Sequence, residues 1–456
     1  MHKPKRKLTH LVVALAAVTG GAAAHGQSAD ALIDKLVQKG ILTSKEANEL
    51  REESDKGFND AFKAKTGLSD WVTALKFSGD FRGRFEQNNA ESKEYFERDR
   101  FRMRLRVGLV ASLGEQFDVG FRLATGNPFN GAANGGLPIT ANQDLNSLES
   151  RKFLWVDAAY ARWNAIQTGD FTLSTTIGKM DNPFLLSNMI WDYDINPEGG
   201  ALQAVYKVAD QHTIRGNAAF FVLNEINQGV GAVPSLNPDS DPYVYGGQLV
   251  LDSKWTPKIE TSIGAAFFNI ANKESLSIKN LAEYNAGTTR DPALGSPVYD
   301  MNPVIGTASA TYTLDSFPLY PDKFPIKVAG EYMYNGSAPK NNVGYRAGIT
   351  IGKAGKKKAW EVAYRYQRLE ADAWYDALVD DDNGAFYASG NPQSTGNGKL
   401  GWFGGTNVKG HLIQGTYSFT DFMNLTFTYY LNDLIINAPG KSSSAGHFMA
   451  DLMWKF

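Results

Sequence analysis

Arginine and apolar residues alternate without a break from Arg100 to Val107, and no other feature of the chain restricts its fold as tightly. On a strand, successive side chains point to opposite faces. One face is therefore Phe101, Met103, Leu105, Val107 and Leu109, and the other is Arg100, Arg102, Arg104 and Arg106. The flanking segments repeat the pattern. Leu75, Phe77, Phe81 and Phe85 alternate with Lys76, Asp80, Arg82, Arg84 and Glu86 before it; Phe117, Val119, Phe121 and Leu123 alternate with Asp118 and Arg122 after it. Arginines on one face of a strand sit about 7 Å apart. Such a pair repels by about 0.6 kcal/mol in bulk water and by many times that in a dry interior. The arginine face must therefore be wet. A soluble sandwich with its apolar face in the core would satisfy this. So would a transmembrane barrel with its apolar face in lipid and its arginines around a hydrated lumen.

The rest of the chain selects the barrel. Alternation and turn signals give sixteen strands: 75–87, 99–113, 116–124, 153–164, 170–179, 200–209, 212–223, 243–255, 258–270, 304–315, 325–335, 343–353, 359–371, 408–420, 423–433 and 447–456. A strand of about 13 residues, tilted near 40°, rises roughly 33 Å, enough for an apolar band of about 25 Å plus both rims. Connections alternate in length. Gly114-Glu115, the Asp210 region, Thr256-Pro257, residues 355–357 and Thr420-Asp421 are short; 125–152, 180–199, 224–242, 271–303 and 372–407 are long. The proline-bearing 315–324 and the brief 336–342 blur that rhythm. A barrel with tight turns at one end and large loops at the other shows this parity; a sandwich rarely does. Aromatics lie near strand ends at Tyr243, Tyr245, Trp255, Tyr332, Tyr334, Trp360, Tyr417, Phe419 and Tyr429, as interfacial girdles require. Mean hydropathy of -0.32 is no objection, because every second barrel residue is polar.

The N-terminus differs from everything after it. Lys3, Lys5, Arg6 and Lys7 precede an apolar core, Leu11 to Val18, and the small residues Ala22 to Ala24. This is the layout of a secretory signal peptide over residues 1–26; a short membrane anchor is the other reading. Its removal takes the formal charge from -2 to -6, since four basic and no acidic residues go. A mildly acidic chain is not a nucleic-acid binder by charge. Residues 27–70 read as a periplasmic helical extension: Ala31, Leu32, Leu36 and Val37 repeat at helical spacing, and Thr43 with Glu46 makes a capping box. It could self-associate, touch peptidoglycan, or stand solvated with no partner. Residues 71–456 are the barrel. With no cysteine in the chain, disulfides, thiolate metal sites and cysteine nucleophiles are excluded.

Three stretches carry resemblances. The last strand ends with Phe448, Ala450, Leu452, Trp454 and the terminal Phe456 on one face. It is similar to the C-terminal strand of bacterial outer-membrane barrels, which implies that the barrel assembly machinery reads Phe456. Residues 32–47 (Leu32-Ile33-Asp34 to Lys45-Glu46-Ala47) and the pair Gly178-Lys179-Met180-Asp181-Asn182-Pro183-Phe184 and Trp191-Asp192-Tyr193-Asp194-Ile195-Asn196-Pro197-Glu198-Gly199 resemble the bacterial "putative porin" family. The similarity is read as running the whole mature chain, and its layout is also similar to general trimeric porins. The resemblance implies an outer-membrane diffusion channel of a Gram-negative bacterium, a homotrimer, embedded in lipid and lipopolysaccharide. It implies no particular solute.

The same resemblance implies that the loop 180–199, at the place of the third external loop of general porins, folds into the lumen with Asp181, Asp192, Asp194 and Glu198. Opposite it would stand Arg82, Arg84, Arg100, Arg102, Arg104, Arg106 and Arg122. Seven arginines against four carboxylates argue for a positive constriction and an anion preference, with Arg102 and Arg104 weighing most. The competing arrangement leaves the loop outside and pairs the arginines with Asp80, Glu86 and Asp118. Asp376, Asp380, Asp381 and Asp382 read as a solvated loop or a divalent-ion bridge to lipopolysaccharide. His212, His411 and His447 stand in no nucleophile motif. The expectation is thus an all-β, 16-stranded antiparallel transmembrane barrel, a passive porin for small hydrophilic solutes with no cofactor, no metal and no catalytic step. An outer-membrane barrel enzyme or a surface adhesin or wall tether is the alternative.

Overall fold

The computed structural model describes residues 35–37, 39, 42–43, 45–47, 50, 67, 69–93, 95, 97–128, 135–225, 241–277, 284–388 and 401–456. The expected leader, residues 1–26, lies outside them, as does most of 27–70. The chain divides into two compact units, residues 1–77 with 111–115 and residues 78–110 with 116–456.

In the first unit, residues 35–37 and 45–47 are helical. The capping box is formed: the Glu46 carboxylate accepts from the Thr43 backbone N–H (2.8 Å) and hydroxyl (2.7 Å), and the Thr43 hydroxyl accepts from the Glu46 N–H at 3.3 Å. Each terminus donor thus has a partner.

The strands form a closed antiparallel barrel, to which the second unit contributes all but residues 72–77 of the first strand and 111–113 of the second. Among the described residues sixteen strands build its wall: β1 (Val72–Ala90), β2 (Arg98–Leu113), β3 (Phe117–Thr125), β4 (Leu154–Gln167), β5 (Phe171–Lys179), β6 (Glu198–Ala209), β7 (His212–Val222), β8 (Tyr243–Thr256), β9 (Ile259–Ala271), β10 (Val304–Leu314), β11 (Phe324–Tyr334), β12 (Val343–Gly352), β13 (Trp360–Leu369), β14 (Val408–Ser418), β15 (Met423–Leu434) and β16 (Ala445–Lys455). Each pairs with its sequence neighbour, and β1 closes on β16 from Asp80↔Lys455 to Ala90↔Ala445. Closure leaves no free edge, as a strand structure in lipid requires. Phe456 completes the seam: its N–H donates to the Gly79 carbonyl (3.0 Å) and its own carbonyl accepts from the Gly79 N–H (2.8 Å). A Cβ at Gly79 would lie 2.6 Å from the Phe456 ring, so only glycine admits the ring there.

The alternation read from sequence sorts inside from outside. Phe101, Phe121, Leu202, Leu249, Ile263, Phe267, Val328 and Ile413 are exposed on the outer face, while Arg102, Arg104, Asn217, Gln248 and Thr428 are buried within. Two additions were not legible in the pattern. Gln143-Asp144 extends the sheet beside β2, and residues 384–387 pair with 401–404 as a small ribbon. The anomalous 315–323 connection is a packed aromatic knot: Phe317 stacks on Phe324 (4.1 Å), Trp360 packs on Phe324 (5.2 Å), and the Tyr320 hydroxyl donates to the Lys353 carbonyl at 2.8 Å.

The two faces make opposite demands on a charge. Leu249→Lys, mid-strand on the lipid side, is expected to cost about 2–4 kcal/mol. Ser309→Lys, on the lumen side, is expected to cost little. Urea unfolding in liposomes distinguishes them, and equal stability of the two variants would contradict the assignment of faces.

Candidate functional site

The period of two puts the arginines of β2 on the inner wall, and four acids from three places meet them. Arg104 binds Asp80 at 2.9 Å and Asp194 at 3.5 Å. Arg106 binds Asp80 at 2.7 Å. Arg102 lies between Glu86 (3.1 Å) and Asp144 (3.0 Å). Arg100 donates to Glu86 through Nε at 2.8 Å. On β1, Arg84 is held by Asp451 (2.7 Å) and Asp382 (3.4 Å), while Arg82 donates to Asn142 (2.7 Å) and approaches Asp451 at 3.8 Å. On β3, Arg122 pairs with Asp157 and, at 2.8 Å, with Asp181. The expected unmatched basic wall therefore does not exist. Arg102 and Arg104 are 3% and 6% exposed and sit in ion pairs. The carboxylates that neutralise the wall come from neighbouring strands and distant loops, which sequence spacing does not bring together. Asp118 accepts from Asn164 at 3.1 Å.

The connection 180–197 lies across the lumen. Its neck is the facing pair Gly178↔Gly199, with φ of 110° and 152°. A Cβ would come within 2.4 Å of the Ala159 carbonyl at one and 2.2 Å of the Phe220 carbonyl at the other, so the inward bend needs glycine. Leu185 exchanges hydrogen bonds with Gln248 of β8, its N–H donating at 2.8 Å and its carbonyl accepting at 3.1 Å. The Ser187 N–H donates to Glu331 of β11 at 2.9 Å, and Arg346 of β12 donates to Asn188 at 2.7 Å. Phe184 and Trp191 pack on Phe221 and Phe268 of the wall.

A second connection, 370–407, joins it there. Trp374 donates to the Ile190 carbonyl at 3.0 Å, and the Asp192 N–H donates to the Leu378 carbonyl at 2.8 Å. Met189, Ile190, Trp191, Trp374, Leu378 and Val379 form one buried apolar cluster with Met301 and Met333. The expectation of a solvated acidic loop is thus corrected. Asp376 is buried and paired with Arg290 at 2.8 Å. Asp380 and Asp381 bring their carboxylate oxygens within 4.8 Å of Asp192.

The four loop acids separate. Asp181 faces Arg122 and Asp194 faces Arg104. Asp192 joins Asp380 and Asp381. Glu198 is not in the loop: it opens β6 and pairs with Lys179 at 2.9 Å. Burial pushes Asp380 up to about 7, helped by Asp382, and raises Asp192 and Asp381 further. Burial would raise Asp194 as well, but Arg104 and Arg82 outweigh it and hold that carboxyl low.

Two cavities open inside the barrel among the described residues. One, of about 790 Å³, lies against β7 to β13; the other, of about 370 Å³, lies against β1, β2 and β12 to β16. Both are lined by Tyr193, Arg346 and Arg365. These three residues were not singled out from the sequence, although Arg346 and Arg365 stand mid-strand on polar faces, a readable signal.

A closed barrel with a lipid-type outer band, a polar wall and a lumen narrowed by loops is an outer-membrane channel of a Gram-negative bacterium. Residues 91–300 match the family model described as putative porin. The 178–199 motif falls within that stretch; the 32–47 motif falls outside it, so the match is shorter than the whole mature chain. No curated protein matches the sequence. Among solved structures, Pseudomonas putida OprB at high pH is similar with a TM-score of 0.51 and 10% identity, covering 87% of this chain and 97% of its own. A Salmonella typhi OmpF complex with daunomycin gives 0.44 and 11%, over 85% and 99%. Vibrio cholerae OmpT gives 0.41 and 10%, over 84% and 99%.

Arg102→Ala would remove one of the cations on Glu86 and Asp144, leaving Arg100 to the first and Arg98 with Arg100 to the second, at an expected cost of about 1–3 kcal/mol. The readout is the temperature at which the folded band is lost on semi-native gels; no shift would mean the pairs are not structural. The raised Asp380 also gives a pH signature. It gains a proton as pH falls through about 7, removing negative charge from the narrowing. The anion-to-cation permeability ratio should therefore rise between pH 8 and pH 5, and a fall would contradict the acidic cluster's place in the conduction path.

Proposed function

We propose that this outer-membrane channel is a passive porin for small hydrophilic solutes with a preference for anions, and that it performs no chemical step. One observation carries the preference. Tyr193, Arg346 and Arg365 stand where the two lumen cavities meet, and among the described residues neither arginine has a carboxylate ion-pair partner. On the β1–β3 wall, by contrast, guanidinium charge is cancelled locally. Uncancelled charge at a narrowing, focused by low-dielectric walls, sets which ions pass. The anion bias is thus assigned to β12 and β13 rather than to the β1–β3 wall from which it was first expected.

The non-enzymatic reading is supported by the histidines' surroundings. His212 meets Ser253 at 2.9 Å but packs against Trp255. His411 meets the Tyr364 hydroxyl, and His447 faces Glu86 at 3.4 Å beside Trp402. These are wall contacts rather than an aligned nucleophile, base and acid. In the same reading residues 1–26 are a cleaved leader and 27–70 a periplasmic extension able to reach peptidoglycan. Phe456 is the assembly signal, and the barrel works as a trimer in a lipopolysaccharide-containing membrane.

Planar-bilayer recording tests the proposal. Stepwise conductance with a reversal potential favouring chloride in a KCl gradient is the expected result. A potential favouring potassium would refute the anion preference, and absence of conductance would refute the porin.

A further inference from the structure

The larger cavity has a structural cause that points to what it holds. Inward residues of β9 to β13 line up in rows across the wall. In the central row Ser262 faces Ser309, Ser309 faces Ala329, Ala329 faces Gly348, and Gly348 faces Arg365. Four small residues in succession leave a groove about 14 Å long, three strand spacings wide. A Cβ on Gly348 would lie 2.8 Å from Cγ of Arg365, so the arginine stem lies over that glycine at the end of the groove.

The rows on either side supply the polar groups. Toward the long loops, Gly264, Thr307, Glu331 and Arg346 stand in register; toward the short turns, Thr311, Lys327 and Thr350 do. Arg346 and Arg365 are therefore diagonal neighbours on adjacent strands. Glu331 is turned to the loop, where it takes the Ser187 N–H and hydroxyl. Asn188 stands between Arg346 and Asp380, accepting from the one and donating to the other. Two like charges side by side, with no carboxylate among the described residues pairing either, favour an incoming anion. A guanidinium fork matches the two oxygens of a carboxylate. Hydroxyls that can both donate and accept line the rest of the groove: Ser262, Thr307, Ser309, Thr311 and Thr350.

We propose that this groove is a binding subsite for small polyhydroxy carboxylates of the sugar-acid class, with the carboxylate on Arg346 and Arg365 and the hydroxyls along the Ser/Thr rows. The inference rests on the porin reading and names the solute class that its lumen selects. A monocarboxylate without hydroxyls uses only the arginine end. A neutral sugar uses only the hydroxyl rows. A sugar acid uses both.

The test is block of KCl current through the full-length protein in planar bilayers by D-glucuronate, D-glucose and acetate in turn. Glucuronate should block saturably, at a half-blocking concentration at least about tenfold below either of the others. R365Q and R346Q should each raise that concentration about tenfold, the loss expected for one charge-assisted contact, in channels that still conduct but with a reduced chloride preference. Equal block by all three solutes overturns the proposal without any variant being needed, as does unchanged block in conducting R365Q and R346Q channels. A protein that conducts but is not blocked by glucuronate overturns this inference alone. A protein that never conducts overturns the porin reading beneath it.

Discussion

Charge pairing across the inner wall is the constraint on which the rest of this barrel depends. Four arginines in a row on one strand are tolerable only if water or carboxylates reach each of them. In this lumen the work is shared. Asp80 and Glu86 reach across from β1, Asp144 comes down from the loop after β3, and Asp194 arrives from the loop crossing the lumen. Partly buried pairs of this kind add little net stability when intact, because desolvation offsets most of the attraction. They are costly to break, because one partner is left charged and dry. The wall is therefore better understood as a device that fixes the loops than as a source of selectivity.

The loops in turn bring an apolar core into what would otherwise be a hydrated tube. Trp191 and Trp374 are almost fully enclosed, each indole N–H donates to a backbone carbonyl, and wall aromatics Phe221 and Phe268 close around Trp191. A buried aromatic side chain contributes a few kcal/mol by removing apolar area from water. The cluster is large enough to hold two long connections together inside the barrel. Rigidity at the narrowing follows, and with it a fixed arrangement of charge.

On the reading proposed above, selectivity falls to Arg346 with Arg365, which among the described residues have no carboxylate ion-pair partner. Their neighbours are small or hydroxylated, which keeps the space beside them open. Paired charge and loop packing leave a cavity of about 370 Å³ in one half of the lumen; the other half holds about 790 Å³, where Ser262, Ser309, Ala329 and Gly348 have little side chain to fill it with.

The strands were legible because a period of two in hydropathy is a local property. The observed β2, Arg98–Leu113, lies within a residue of the expected 99–113, and β8, Tyr243–Thr256, within one of 243–255. Short turns followed from Gly114, Pro257 and Asp421 for the same reason. The parity of loop lengths then fixed which connections share an end. The chain alone thus determined a sixteen-stranded barrel and which residues of each strand face inward. Tertiary structure alone decided which inward charges cancel, because Arg84 meets Asp451 and Arg104 meets Asp194 only after the barrel has closed and the loop has turned inward. Alternation encodes the face on which a side chain stands. Its partner is set by contacts far apart in the chain, 367 residues for Arg84 with Asp451, and no local period records those.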